Sequence, residues 1–159
     1  MLSKKISFLI RTDGFVERGL GHVYRCLTLA ENLRRYDPLF LMEDQHRLGI
    51  DLVNSRGYKI VVHSGNALEF IEKLRPDILI NDILNTDADY IRKIRSLGIF
   101  VVNFEDLGPG AEYADLVINA LYEKKPSHPH IYWGKDYFCL RNEFNYLKPK
   151  IINTEVRNI

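Results

Sequence analysis

A histidine and an arginine follow two closely spaced glycines near the start of the chain. His22 and Arg25 lie one helical turn apart, behind Gly19 and Gly21. From Val23 onward apolar residues recur at helical spacing, which predicts a helix that begins at the glycines. The first turn of a helix has unpaired N–H groups and a partial positive charge, which suit an anionic or strongly polar ligand. That charge disfavours an imidazolium, so we expect a neutral His22 that can accept a proton.

The same pattern also has a plainer interpretation. A strand, a glycine loop and a helix begin many α/β folds, and His22 would then be an ordinary solvated residue. Gly19 and Gly21 would permit unusual backbone conformations and the close approach of a ligand. Arg25 can reach back toward the start of the helix. We expect its guanidinium to orient the loop 11–19 or a ligand anion by fork-like hydrogen bonding, with a surface carboxylate as the alternative partner.

Short apolar runs alternate with amphipathic helical patterns along the chain. Near-continuous apolar strands between such helices are typical of a parallel sheet that is covered on both faces. The sequence therefore predicts a Rossmann-like α/β domain. Its expected strands are residues 6–10, 39–42, 59–63, 77–80, 99–104 and 116–119, and a helix is expected at residues 67–74.

Polar residues collect where these strands end. In a parallel α/β sheet, ligands bind outside the carboxyl ends of the strands. Any single one of these residues could be a helix cap, so their convergence is the informative feature. We expect Asp13, Asp82 and Asp106 to lie near one another beside His22. The candidate binding residues are Arg11, Asp13, Gly19, Gly21, Arg25, Asn81, Asp82, Glu105, Asp106 and Asn119.

A dinucleotide site is the main alternative at the glycines. Gly19 and Gly21 match the first two glycines of a GxGxxG fingerprint, and Glu43 lies at a plausible distance for the ribose. Tyr24 occupies the third position, where close packing of helix on strand requires glycine, and the preceding loop is long. These departures argue against NAD.

The other histidines and the cysteines carry weaker signals. His128 and His130 could suggest a metal, but the pair lacks a third ligand nearby and is typical of an exposed connection. His46 and His63 are isolated in sequence and are interpreted as structural. Cys26 and Cys139 are interpreted as buried small hydrophobes of a reducing compartment, with no catalytic thiol.

Composition narrows the class of protein. The chain has 159 residues and a net charge of +1, which predicts one domain and gives no sign of nucleic acid or an anionic membrane as a partner. No apolar run approaches the roughly 18 residues of a membrane span. The apolar stretch after Lys4 and Lys5 stops at Arg11, too soon for a signal peptide. We expect a cytoplasmic protein.

Several motifs together resemble one group of enzymes. Residues from about 5 to 147 resemble the nucleotide-sugar hydrolases of pseudaminic acid biosynthesis and the related spore-coat polysaccharide biosynthesis proteins. The segment from Gly19 to His22 alone also resembles, more loosely, glycosyltransferases that add a sugar to lipid-linked cell-wall intermediates. The matching motifs are Arg11-Thr12-Asp13, Gly19-x-Gly21-His22-x-x-Arg25-Cys26-Leu27-x-Leu29-Ala30, Asp106, residues 114–119 and Tyr132-x-Gly134-x-x-Tyr137-x-x-Leu140-Arg141-x-Glu143-Phe144.

This resemblance implies an architecture and a reaction. Residues 1–140 would be the Rossmann-like N-terminal half of a glycosyltransferase-B-like enzyme, and residues 141–159 a crossover linker or tail. The nucleotide would bind mainly to an absent C-terminal domain or a partner subunit. The implied reaction releases UDP from a UDP-linked 2,4-diacetamido sugar by inverting attack of water, with His22 as general base and with neither metal nor cofactor.

The resemblance leaves a second class of function open. Residues 81–84 differ from the family pattern at that strand end, so the sugar stays undetermined. The chain could instead be a sugar-binding or assembly subunit without hydrolysis, or the acceptor-side half of a glycosyltransferase. A C-terminal domain in the full-length gene product would favour the hydrolase. We also expect an exposed patch at the carboxyl edge of the sheet, because a second domain would cover part of it.

Overall fold

One parallel sheet runs through the computed structural model, which describes residues 5–13, 19–123 and 128–148 of the chain. Within these residues the sheet has seven strands. They are β1 (Phe8–Thr12), β2 (Leu39–Glu43), β3 (Lys59–His63), β4 (Ile78–Asp82), β5 (Phe100–Phe104), β6 (Leu116–Asn119) and β7 (Ile131–Trp133). Their spatial order is β3-β2-β1-β4-β5-β6-β7.

Helices connect the strands and cover the sheet. They are α1 (Gly21–Asn32), α2 (Arg47–Ser55), α3 (Ala67–Leu74) and α4 (Ala88–Ser96). Local sequence explains where α3 and α4 begin, because the side chains of Asn66 and Asp87 accept hydrogen bonds from backbone N–H groups of the first turn. No side chain caps the start of α1, where Leu20 occupies the capping position. None of the helices in the described residues is long and apolar enough to cross a membrane.

Alternation along the central strands supplies two hydrophobic cores. Leu9 of β1 lies in the core on the α3 and α4 side, with Ile71 and Ile91. Its neighbour Ile10 lies in the core on the α1 and α2 side, with Val23. Successive side chains of a strand point to opposite faces, so a fully apolar strand is stable only when helices cover both faces. The predicted α/β fold is therefore confirmed.

The observed strand and helix boundaries agree in part with those predicted from the sequence. Residues 59–63, 67–74 and 116–119 form the predicted strand, helix and strand. The first strand lies two residues later than predicted, and the fourth extends through Asp82. Arg11, Asn81 and Asp82 are consequently strand residues rather than loop residues. Strand β7 was missed, because it contains only three residues and only one of them is buried.

Gly110 has a packing requirement that tests this description. A Cβ at Gly110 would lie 2.1 Å from Thr86 Oγ1 and 2.8 Å from the Asp87 carbonyl oxygen, whereas a Cβ at Gly21 would meet nothing within 4 Å. We predict that Gly110→Ala lowers the free energy of unfolding by about 1–3 kcal/mol, the usual cost of overpacking. Gly21→Ala, also free of positive-φ strain, should change it by less than about 0.5 kcal/mol. Urea denaturation of both variants measures the difference, and equal stabilities would contradict the packing at Gly110.

Candidate active site

The candidate site lies where the strand order of the sheet reverses. The chain moves from β1 outward to β2 and β3 and then crosses to β4 on the other side of β1. Thr12 at the end of β1 pairs in register with Asp82 at the end of β4. Such a switch point leaves a crevice between the helices that follow the two strands, and open α/β sheets bind their ligands there. Helix α1 begins above this crevice at Gly21 and carries His22 into it.

His22 and Arg25 both contact the carboxylate of Asp82. The Nδ1 atom of His22 lies 2.5 Å from Asp82 Oδ1. Arg25 donates from Nε to Oδ2 and from Nη2 to Oδ1, both at 2.6 Å, which is the two-pronged geometry of a strong guanidinium–carboxylate pair. The Asp82 side chain has no exposed surface, whereas that of His22 is 19% exposed. The predicted fork of Arg25 is present, but its acceptor is a buried carboxylate of the chain itself.

Glu105 extends this ion pair toward β5. Its Oε1 atom accepts a hydrogen bond from Arg25 Nη1 at 3.4 Å and from the backbone N–H of Ala120 at 3.1 Å, and Oε2 accepts from the N–H of Leu121 at 3.3 Å. The residue has φ of 51°, a left-handed conformation that costs energy in any residue other than glycine. Burial raises the pKa of Glu105, and the three donors partly oppose that rise.

Asp106 lies at the predicted edge, but its carboxylate faces the chain. Oδ1 accepts from the backbone N–H groups of Thr86 and Gly108, and Oδ2 accepts from Thr86 Oγ1 and Asn103 Nδ2. Each oxygen accepts two hydrogen bonds and the residue is buried. Asp106 therefore holds together the loops that follow β4 and β5. Its carboxylate is thus satisfied by the chain, and the expectation that Asp106 joins Asp13 and Asp82 beside His22 remains a prediction.

The side chains of two candidate binding residues, Asn81 and Asn119, are also hydrogen-bonded within the protein. Asn119 exchanges hydrogen bonds with the backbone of Asp106 in both directions. Asn81 donates to Asn103 and accepts from the Tyr90 hydroxyl. Both residues are buried at the carboxyl edge, and their amides are satisfied by the protein. Any contact between them and a substrate remains a prediction.

A second group of polar residues surrounds the end of β1. Asp13 Oδ1 lies 3.4 Å from His46 Nδ1, and His46 Nε2 lies 3.8 Å from Glu43 Oε2. The Arg11 guanidinium lies over the Tyr90 ring at 5.2 Å. Burial raises the pKa of Asp13, and the positive charge of Arg11 opposes that rise. Asp13 also interacts electrostatically with His22, so this group adjoins the His22 pair.

His46 lies beside the candidate site, a position that the sequence interpretation did not predict. It was interpreted as structural because it is isolated in sequence, yet it is buried in contact with the predicted site residue Asp13. Its position directly after β2 was the available signal. His63, at the end of β3, is buried against Phe70, and burial lowers its pKa.

The two glycines before His22 differ in their backbone requirement. Gly19 has φ of +78°, a backbone conformation that only glycine adopts readily. Gly21 is the first residue of α1 and has no positive φ, so no conformational reason for glycine exists there. Their contact with a ligand remains a prediction. The loop residues 14–18, which Arg25 was also expected to orient, lie outside the described part of the chain.

A largely apolar cavity of about 420 Å³ adjoins Arg25 and Glu105. Leu121, Tyr137, Phe138, Leu140 and Phe144 line it, and each is more than 40% exposed. The expected exposed patch at the carboxyl edge is therefore present. Beyond residue 140 the chain continues against α1, with the Arg141 guanidinium 5.6 Å from the centre of the Tyr24 ring.

The cysteines of the site are not activated. Cys26 is fully buried, as expected, and burial raises its pKa well above the ordinary value. Cys139 is only partly buried, contrary to expectation, and burial raises its pKa as well. A raised pKa keeps a thiol protonated and unreactive. Among the described residues no group of three or more His, Cys, Asp or Glu side chains could hold a metal ion, and that includes His128 and His130.

Comparison with known proteins places this geometry in context. No family model matches the chain. Over 94% of its length it is 32% identical to an uncharacterised protein of Methanocaldococcus jannaschii, and over 94% it is 27% identical to the spore coat polysaccharide biosynthesis protein SpsG of Bacillus subtilis. The chain spans only 35% and 48% of these two relatives.

A solved structure supports the fold. The crystal structure of MurG from Acinetobacter baumannii superposes with a TM-score of 0.58 at 17% identity, over 79% of this chain and 44% of MurG. At this identity the likeness shows the fold alone, a Rossmann-like sheet of the kind found in glycosyltransferase-B proteins. The chain is thus a distant homologue of SpsG, and its Rossmann-like sheet resembles less than half of the MurG structure.

Glu105 makes the stability of the site depend on pH. Burial raises its pKa above the ordinary value of 4.5, so the folded protein holds this proton more tightly than the unfolded chain. Its stabilising contribution is fully present below pH 4.5 and is lost as the pH rises through the folded-state pKa. We predict that the difference in the free energy of unfolding between wild type and Glu105→Gln declines as the pH rises from 4.5 through the folded-state pKa of Glu105. Urea denaturation from about pH 4 to pH 8 measures it.

The matched control is Glu112→Gln, which removes a carboxylate that is 60% exposed. Exposed charges are screened by solvent, so this variant should follow the wild-type pH dependence closely. A constant difference between wild type and Glu105→Gln at every pH would contradict the assignment.

Proposed function

We propose that this chain is the histidine-bearing half of a nucleotide-sugar enzyme of polysaccharide biosynthesis, and that the enzyme is a hydrolase. The observation that carries the proposal is the position of His22, at the switch point of the sheet and paired with buried Asp82. Homology to SpsG, whose name states a role in spore coat polysaccharide biosynthesis, supports the pathway class.

In the proposed reaction His22 accepts a proton from water. The water oxygen forms a bond to the anomeric carbon while the bond from that carbon to the UDP oxygen breaks, and UDP leaves with the bonding electrons. Attack from the face opposite UDP inverts the anomeric centre. The polar group of Arg11, Asp13 and His46 lies on the β1 side of His22 and offers both charge signs to the hydroxyl and amide groups of a diacetamido sugar.

The UDP group is assigned to a second structural unit. The chain spans a third to a half of its curated relatives, which leaves room in such proteins for another domain. The Arg25 guanidinium is already paired with the carboxylates of Asp82 and Glu105, so it is poorly placed to bind a diphosphate in the cavity beside it. A C-terminal nucleotide-binding domain or a partner subunit would bind UDP and close over the exposed residues at the carboxyl edge.

The second candidate is the acceptor-side half of a glycosyltransferase. The likeness to the MurG fold favours it, and His22 would then deprotonate an acceptor hydroxyl instead of water. A sugar-binding or assembly subunit without catalysis is the non-enzymatic alternative. Release of UDP without any acceptor distinguishes the hydrolase from both.

We predict that His22→Asn, in the full-length gene product that contains this chain, lowers kcat for UDP release by about 10²–10⁴-fold. KM should change little, because the nucleotide is expected to bind elsewhere. The acidic limb of the pH–rate profile, which reports protonation of the base, should disappear. Steady-state release of UDP from a UDP-linked diacetamido sugar across pH is the measurement.

His128→Asn is the matched control, since His128 is 39% exposed and lies beside Glu112, away from the switch point. It should retain wild-type kcat and the acidic limb. A raised KM at unchanged kcat for His22→Asn would assign His22 to substrate binding alone. An unchanged profile would refute the general base.

A further inference from the structure

The contacts of Asp82 leave it no surface for a substrate, although its position after β4 predicted a binding role. Its side chain has no exposed area, and both oxygens already accept hydrogen bonds from Arg25. We infer that Asp82, held by Arg25, is a positioning residue that fixes the His22 ring with its proton on Nδ1 and with Nε2 as the bare proton acceptor.

The direction of the His22 hydrogen bond follows from the donors around Asp82. A carboxylate that receives both arms of a guanidinium presents only acceptor sites. Nδ1 lies 2.5 Å from Oδ1, so Nδ1 must supply the proton between them. Arg25 Nη2 is 3.2 Å from the same Nδ1, and a guanidinium nitrogen cannot accept, so both N–H groups converge on Oδ1.

Arg25 is itself fixed on its remaining sides. Its Nη1 donates to Glu105 at 3.4 Å, and its guanidinium carbon lies 5.7 Å from the centre of the Phe104 ring. Three parts of the fold therefore determine the orientation of one carboxylate. Strand β4 carries Asp82, helix α1 carries Arg25 and His22, and Glu105 follows β5 directly. A ring held this way loses little orientation entropy when it takes up a proton.

The charges around His22 come from every element packed against it. Asp82 faces it from β4, Arg25 from α1 and Asp13 from the end of β1, while Glu105 acts through Arg25. Arg25 offsets the negative charge of Asp82. The carboxylate can therefore orient the neutral ring without standing beside it as an unpaired anion. The importance of this for catalysis rests on the proposed function, whereas the ring orientation itself does not.

Nuclear magnetic resonance of the 15N-labelled chain near neutral pH tests the inference directly. Long-range 1H–15N correlations report which imidazole nitrogen carries the proton, and the His22 signals are identified by their loss in His22→Asn. We expect a protonated Nδ1 with a low-field proton, and an unprotonated Nε2. In Asp82→Asn the Nδ1 proton should move upfield or disappear, because a neutral amide oxygen is the weaker acceptor.

Asp89→Asn is the control, since Asp89 also pairs with an arginine but is 91% exposed. It should leave the His22 signals unchanged. A proton on Nε2 in wild type, or on both nitrogens, overturns the inference, and this holds even if Asp82→Asn fails to fold. An Asp82→Asn spectrum identical to wild type overturns it as well.

Kinetics separates this inference from the proposed function. In the full-length enzyme Asp82→Asn should lower kcat by about 10–100-fold, the range known for partners that orient metal-bound histidines, with KM nearly unchanged. If the Nδ1-protonated ring is observed but no UDP is released by wild type, the proposed hydrolase is wrong and the positioning role stands. If UDP is released but wild type carries the His22 proton on Nε2, the reverse holds.

Discussion

The buried carboxylate of Asp82 is the constraint on which the candidate site depends. A charge without exposed surface is stable only when it is paired and hydrogen-bonded, and Arg25 supplies that pairing with two bonds at 2.6 Å. Removing one partner of such a pair typically costs about 3–5 kcal/mol. Because Asp82 ends β4 and Arg25 belongs to α1, the pair fixes helix and strand across the crevice of the sheet. His22, one turn before Arg25, receives its orientation from the same interaction.

The carboxyl edge of the sheet is divided between architecture and chemistry. On the β5 and β6 side, Asp106 and Asn119 satisfy their hydrogen bonds within the protein and hold the loops in place. On the β1 side, Arg11 has a buried Nε atom without a hydrogen-bond partner, and Asp13 is partly exposed. The side whose polar groups are all hydrogen-bonded within the protein is rigid. It can support the other side, where polar groups can still form hydrogen bonds to a ligand. His22 lies between the two halves, where a reacting atom would be positioned by both.

Local signals in the sequence were sufficient for the fold but not for the pairing in the site. Periodicity and breakers located β3, α3 and β6, because Gly57 precedes β3, Asn66 caps α3 and burial alternates along β6. The shift of β1 has a physical cause, since Thr12 is buried beside Asp82 and the strand continues past the apolar run. The pair of Arg25 and Asp82 joins residues 57 positions apart, and no periodicity encodes such a contact. The strand-end rule gathered residues that do lie at the carboxyl edge, but only coordinates distinguish Asp82, which orients a histidine, from Asp106, which closes a loop.

A general base held in this way is compatible with water or with an acceptor hydroxyl, so the nucleophile must be selected elsewhere in the site. The apolar cavity of about 420 Å³ beside Arg25 and Glu105 also borders Gly21, the neighbour of His22, and has room for an acceptor. Its walls include Tyr137 and Phe138 from the segment after β7, which is distinct from α1 and β4, the elements that carry His22 and Asp82. Under the proposed function, a second domain that filled the cavity would leave water as the nucleophile, whereas an open cavity would let an acceptor lie against its aromatic side chains. Under the proposed function, the base and its positioning residue would therefore set the chemistry, and a unit that covers the segment after β7 would set the acceptor.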